Sequence, residues 1–96
     1  MPKAYWIARV DVHNDEGYKP YTVANPTIFR KYGGRFIVRG GALTVLEGEW
    51  PMPRLVILEF PTRAAAEAWY RSPAYQKILP LRLKSSTGNL VIVDGT

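Results

Sequence analysis

Apolar and polar positions alternate along residues 4–13, AYWIARVDVH, which predicts a strand. Trp6, Ala8, Val10 and Val12 share one face, and Tyr5, Ile7, Arg9, Asp11 and His13 the other. The period then changes. Tyr18, Tyr21, Asn25, Ile28 and Tyr32 recur every three or four residues, which makes one helical stripe, with Asn14 or Asp15 to cap it and Glu16 in the first turn. Pro26 removes a donor and biases Asn25 away from α geometry, so the pattern predicts a break at Asn25-Pro26 and a second short helix ending at Tyr32. Gly33-Gly34 supply the left-handed residue that ends it.

The run RFIVRG follows, placing Phe36 and Val38 on one face and Arg35, Ile37 and Arg39 on the other. Gly40-Gly41 predict a bulge or sharp bend, before ALTVLEG continues the strand to residue 48 and the prolines of EWPMP make a turn. RLVILEF (54–60) is nearly all apolar, as in a central strand. Thr62 caps RAAAEAWYR, Ser72-Pro73 opens a helix over AYQKIL, and Pro80 interrupts it. SSTGN then reads as a loop, and LVIVD (90–94) as a last strand.

The order β-α-β-β-α-β is that of a split-βαβ, ferredoxin-like α+β domain spanning residues 1–96. Its first and third strands are central, with the second beside the third and the fourth beside the first. Helices cover one face of the antiparallel sheet. The other face carries Ile7, Ile37, Leu55 and Ile57, which calls for a covering partner surface.

Composition narrows the function. With 96 residues, 47% of them hydrophobic, the chain has one modest core. There is no cysteine, so disulfides and thiol chemistry are excluded. No segment approaches the roughly 20 apolar residues of a membrane span, and the start does not read as a signal peptide; a cytoplasmic protein with no membrane contact is expected. The net charge of +5 is scattered among eight acids, which describes a solvated surface. KYGGRFIV faintly echoes RNA-binding modules, but the open face offers aliphatics and Glu59 where bases would stack, so no nucleic-acid partner is expected. The glycine pairs form neither G-x-G-x-x-G nor a P-loop. No cofactor is expected.

In this phase Arg9, Arg39 and Glu59 fall on the uncovered face of three adjacent strands. The cluster reads either as an arginine fork for a carboxylate or developing negative charge, or as a structural ion-pair network at a dimer interface. His13 beside Asp11 could act as a base, yet further ligands at metal-binding spacing are missing, so no metal site is expected. Asn25 either orients a ligand or caps the helix before Pro26. Tyr18, Tyr21, Trp50, Trp69 and Tyr75 could line an apolar pocket, with Trp69 taken as core.

The runs YWIARVDV, GYKPY, YGGRFIVRGG, VLEGEW, VILEFP, AWYRSPAYQ and LVIVDG resemble domain-of-unknown-function family 1330, a small bacterial family, over almost the whole chain. Its members are similar to the dimeric α+β barrels, in which two ferredoxin-like subunits set their open sheets face to face. The resemblance therefore implies a homodimer. The wider superfamily includes cofactor-free monooxygenases, isomerases, haem-degrading enzymes and ligand sensors, with pockets between sheet and helices or inside the barrel. Counterparts of the family pattern stand at Tyr18, Tyr21, Arg39, Glu47, Glu59, Trp69, Ser72 and Tyr75; His13 does not. The resulting expectation is a dimer that binds, or binds and transforms, a small organic molecule bearing a carboxylate or carbonyl group. Arg39 is the anion anchor, Glu59 its orienting partner or a base, and Arg9, Tyr18, Tyr21 and Asn25 complete the site. The competing expectation is a non-catalytic dimer whose charged cluster only fixes register.

Overall fold

A computed structural model describes residues 2–96. The elements are β1 (Ala4–Val12), α1 (Asp15–Arg30), β2 (Arg35–Arg39), β3 (Arg54–Phe60), α2 (Arg63–Arg71), α3 (Pro73–Ser85) and β4 (Ser86–Asp94). The four strands form one antiparallel sheet in the order β2-β3-β1-β4. This is the arrangement the alternating pattern predicts, with α2 and α3 dividing the second helical region at Ser72.

Period-two burial explains the sheet. Ala4, Trp6, Ala8 and Val10 on β1 and Val56, Leu58 and Phe60 on β3 are buried against the helices. Tyr18, Tyr21, Asn25 and Phe29 of α1 and Ala66, Trp69 and Tyr75 of α2 and α3 cover them. Asn14 caps α1 through Gly17 N–H, Thr62 caps α2 through Ala65 N–H, and Ser72 caps α3 through Tyr75 N–H. On the opposite face Ile37, Val91 and Val93 are exposed, beside half-buried Ile7, Leu55 and Ile57.

Several expectations are corrected. α1 runs unbroken through Pro20 and Pro26, because one buried stripe, Tyr18-Tyr21-Asn25-Phe29, anchors both halves and outweighs the lost backbone bonds. Asn25 is therefore mid-helix and not a cap. α3 likewise passes Pro80, whose unpaired carbonyl partner Gln76 is solvent-exposed.

SSTGN is strand, not loop. Gly88 lies against Val10 in the β1–β4 ladder, where a Cβ would stand 2.6 Å from the Arg9 carbonyl oxygen, so only glycine admits this close pairing. Residues 42–48 form no strand; beyond Gly40 (φ 63°) the chain to residue 53 is irregular, with Leu43, Val45, Leu46 and Trp50 exposed.

A β-bulge lies between Phe36 and Val38, so that Val38 pairs with Ile57 and Arg39 with Val56. Val56 faces the helices. One extra residue thus carries Arg39 from the open face to the helix side of the sheet.

Candidate functional site

On the helix side, between α1 and the sheet, is a narrow pocket floored by Trp6, Ala8, Phe36 and Val56 and walled by Tyr18, Tyr21, Thr22, Asn25, Arg39 and Arg54. It is a cleft of about 360 Å³ including its open mouth, narrowing to an interior of little more than one water molecule. The narrow interior has room for water, and the mouth is where a larger molecule would enter.

Two cations border this space and no acid does. The Arg39 guanidinium lies 4.4 Å from the Phe36 ring centre, and that of Arg54 lies 5.9 Å from the Tyr18 ring centre. Both are within cation–π reach, so the aromatic rings hold them without neutralising them. Arg54 Nε is buried with no hydrogen-bond partner among the described residues. A buried, unpaired guanidinium donor is costly unless an acceptor arrives.

Behind the wall lies a hydrogen-bonded aromatic layer. The Tyr21 and Tyr75 hydroxyl oxygens are 2.7 Å apart. Trp69 Nε1–H donates to Asn25 Oδ1 at 3.2 Å, which fixes the orientation of the Asn25 amide in the pocket wall. Ser72 Oγ donates to the Trp69 carbonyl at 2.7 Å and accepts from Tyr75 N–H at 3.2 Å, tying the α2–α3 corner to the same layer. Arg82 of α3 is 3% exposed, has no carboxylate partner among the described residues, and has its Cζ 5.9 Å from the Tyr21 ring centre.

Burial, followed by the neighbouring Tyr75 phenol, pushes the Tyr21 hydroxyl well above the ordinary tyrosine range. Burial also raises Tyr75, against the opposing pull of Arg82. Burial disfavours the Arg82 charge, but the Tyr75 and Tyr21 phenols outweigh it and the guanidinium is held protonated. Because the two phenols lose their protons less readily folded than unfolded, their contribution to stability is complete below about pH 10 and is lost as pH climbs through the folded-state values. Alkaline titration followed at 295 nm should therefore show two of the six tyrosines ionising only together with loss of far-UV structure. A single smooth phase for all six, with the fold intact, would contradict this burial.

The structure does not assemble Arg9, Arg39 and Glu59. Arg9 remains on the open face, where its Nε donates to Asn89 Oδ1 at 3.1 Å and its Cζ lies 5.7 Å from the Trp50 ring centre. Glu59 pairs with Arg35 at 2.9 Å and Lys3 at 3.4 Å; the Arg35 hydrogen bond, despite partial desolvation, holds its carboxyl below the usual range. Trp50 lies away from the tyrosines, and Trp69 and Tyr75 are fully buried core. His13 is exposed, and no group of three metal-binding side chains occurs among the described residues.

Tyr18, Tyr21, Asn25 and Arg39 do come together. Two arginines escaped the sequence reading although each carried a signal. Arg54 is in phase with Val56, Leu58 and Phe60, and Arg82 follows Tyr75 by seven residues, on the same helical face.

This fold defines a ferredoxin-like α+β protein with a basic, aromatic pocket between sheet and helices. The chain belongs to the domain-of-unknown-function family DUF1330, whose model matches residues 3–96. No curated protein matches it by sequence. Among solved structures, it is similar to a protein of unknown function from Rhodopseudomonas palustris (TM-score 0.81, 18% identity, covering 99% of this chain and 83% of the other). It is also similar to SnoaB, a cofactor-independent oxygenase from Streptomyces nogalater (TM-score 0.66, 12% identity, covering 100% and 95%). At these identities the likeness is one of fold. No helix among the described residues is long and apolar enough to cross a membrane.

Proposed function

We propose that the protein binds a small organic molecule carrying a carboxylate or an enolisable carbonyl in the pocket between α1 and the sheet. The observation that carries this reading is the pair of guanidiniums over a pocket with no acidic lining residue, one of them with a buried, unpartnered Nε. Arg39 and Arg54 anchor the anionic oxygen atoms. Trp6, Phe36 and Val56 receive the apolar body, and Tyr18, Tyr21 and Asn25 are polar walls. Turnover is the stronger form of the same reading. SnoaB supports it as an oxygenase of this fold that needs no cofactor, since two arginines and a phenol can stabilise an enolate-like charge without a metal.

The working unit is proposed to be a homodimer paired through the open sheet faces, where Ile7, Ile37, Leu55, Ile57, Val91 and Val93 are otherwise wet. A purely structural dimer is the competing account, and Arg39 separates the two. A thermal-shift panel of aromatic and aliphatic carboxylates should raise the melting temperature of the wild type. Arg39→Ala should weaken binding of the best carboxylate roughly tenfold or more, the scale of one charge-assisted hydrogen bond. The reading fails when no carboxylate shifts the wild type, or when Arg39→Ala changes assembly and leaves binding intact.

A further inference from the structure

Of the glycines at 40 and 41, only the first has a close neighbour. Gly40 extends the β2–β3 ladder by one bond, its N–H donating to the Leu55 carbonyl at 2.8 Å. Its φ of 63° then turns the chain out of the sheet. A Cβ built on Gly40 would stand 2.6 Å from Arg54 Nη1 and 3.1 Å from Cζ, whereas one built on Gly41 would meet nothing within 4 Å. The Arg54 side chain therefore occupies the space that any other residue at 40 would fill. There its guanidinium borders the pocket, 5.9 Å from the Tyr18 ring centre, with Nε buried and unpaired among the described residues. The positive φ alone does not require this, since asparagine also adopts left-handed geometry. The obstructed atoms are the far end of a flexible side chain, so a Cβ would be accommodated by swinging the guanidinium away. The loss would fall on the pocket more than on the fold.

We propose that Gly40 is a positioning residue, whose missing side chain sets the Arg54 guanidinium at the pocket. This rests on the binding reading above and deepens it, because the second cation of the site is then set by a residue that does not line it.

Isothermal titration calorimetry with benzoate and its neutral isostere benzamide tests the assignment. Gly40→Asn tolerates the positive φ but adds a Cβ; it should weaken benzoate roughly tenfold, the scale of one charge-assisted hydrogen bond, and leave benzamide unchanged. Gly48→Ala imposes comparable backbone strain (φ 72°) with nothing within 4 Å, and should bind benzoate as the wild type does. In an Arg54→Ala background, Gly40→Asn should have no further effect, since the group it displaces is gone. If Gly40→Asn does not fold, the wild type decides by NMR: contacts between the Gly40 α-protons and the Arg54 side chain are expected, and their absence overturns the assignment. Unchanged benzoate affinity in Gly40→Asn, an equal loss of both compounds, or effects that add to those of Arg54→Ala overturn the positioning role while the binding reading stands. Wild-type protein that does not bind benzoate overturns both.

Discussion

Trp69→Ala should be the most damaging single substitution in the core, lowering stability by about 3–5 kcal/mol. For a domain of this size that is a fall in melting temperature of at least about 12 °C. Trp69 is fully buried and packs edge-on against Trp6 at 5.3 Å, with Phe60 tilted at 5.3 Å and Tyr75 at 4.4 Å. Truncation opens a cavity among rings from the sheet and all three helices. It also removes the donor to Asn25 Oδ1, leaving a buried acceptor unpaired. Trp69→Phe separates the two effects, since it refills much of the space but keeps Asn25 unsatisfied, and should cost an intermediate amount. Adding Asn25→Leu to Trp69→Phe should recover part of that loss, because removing both partners is less costly than removing one. Thermal or urea unfolding measures each step. A Trp69→Ala protein melting within a few degrees of wild type would mean that this aromatic layer does not hold the pocket wall.

The sheet and the pocket differ in how far they could be read from sequence. Strand order, caps and buried faces follow from signals each set by one or two residues: alternation in AYWIARVDV and RLVILEF, and Asn14, Thr62 and Ser72 before helical runs. Four of the six residues placed in the site, Tyr18, Tyr21, Asn25 and Arg39, do share a pocket, but for Arg39 the face was misread. One inserted residue at the β2 bulge inverts every later side chain on that strand, and nothing in RFIVRG marks it, since Ile37 and Val38 are equally good strand residues. The glycines at 40 and 41 lie beyond the bulge, which falls between Phe36 and Val38. The prolines misled for another reason. Pro26 and Pro80 carry a local penalty of a few kcal/mol, and tertiary burial of Tyr18, Tyr21, Asn25 and Phe29 on α1 and of Tyr75, Arg82 and Ser85 on α3 outweighs it, a sum invisible in a local window. Arg9 and Glu59 were placed on the correct face, but alternation fixes only the face. Distance along the strand separates them: Arg9 is opposite Leu55, and Glu59 is opposite Tyr5.

Ile57→Glu should convert the proposed dimer to a monomer. Ile57 is at the centre of the open face, on β3 between β2 and β1 and paired with Val38 and Ile7. In a two-fold contact each substitution acts twice, so two apolar side chains are lost and two carboxylates are buried near the axis. Loss of apolar burial alone is worth about 1.5–3 kcal/mol per side chain, which raises the dimer dissociation constant by at least about a hundredfold. Four strands of nine, five, seven and nine residues, spaced about 4.8 Å apart with a rise of about 3.3 Å per residue, offer a face of roughly 480 Å². That is less than the roughly 800 Å² each partner buries in a standard interface. The irregular segment between Gly40 and Arg54, with Leu46 88% exposed and Leu43, Val45 and Trp50 beside it, is a further apolar surface next to that face, and in the proposed dimer it would supply the remainder by reaching onto the partner. Leu46→Glu should therefore weaken the dimer as well, although Leu46 lies outside the sheet. Sedimentation equilibrium checks both, with circular dichroism confirming that the fold persists, since neither side chain is part of the helix-side core. A wild-type monomer at 100-micromolar concentrations, on the order of 10⁻⁴ M, would rule out the pairing. A dimer that survives Ile57→Glu but not Leu46→Glu would move the interface from the sheet to the arm.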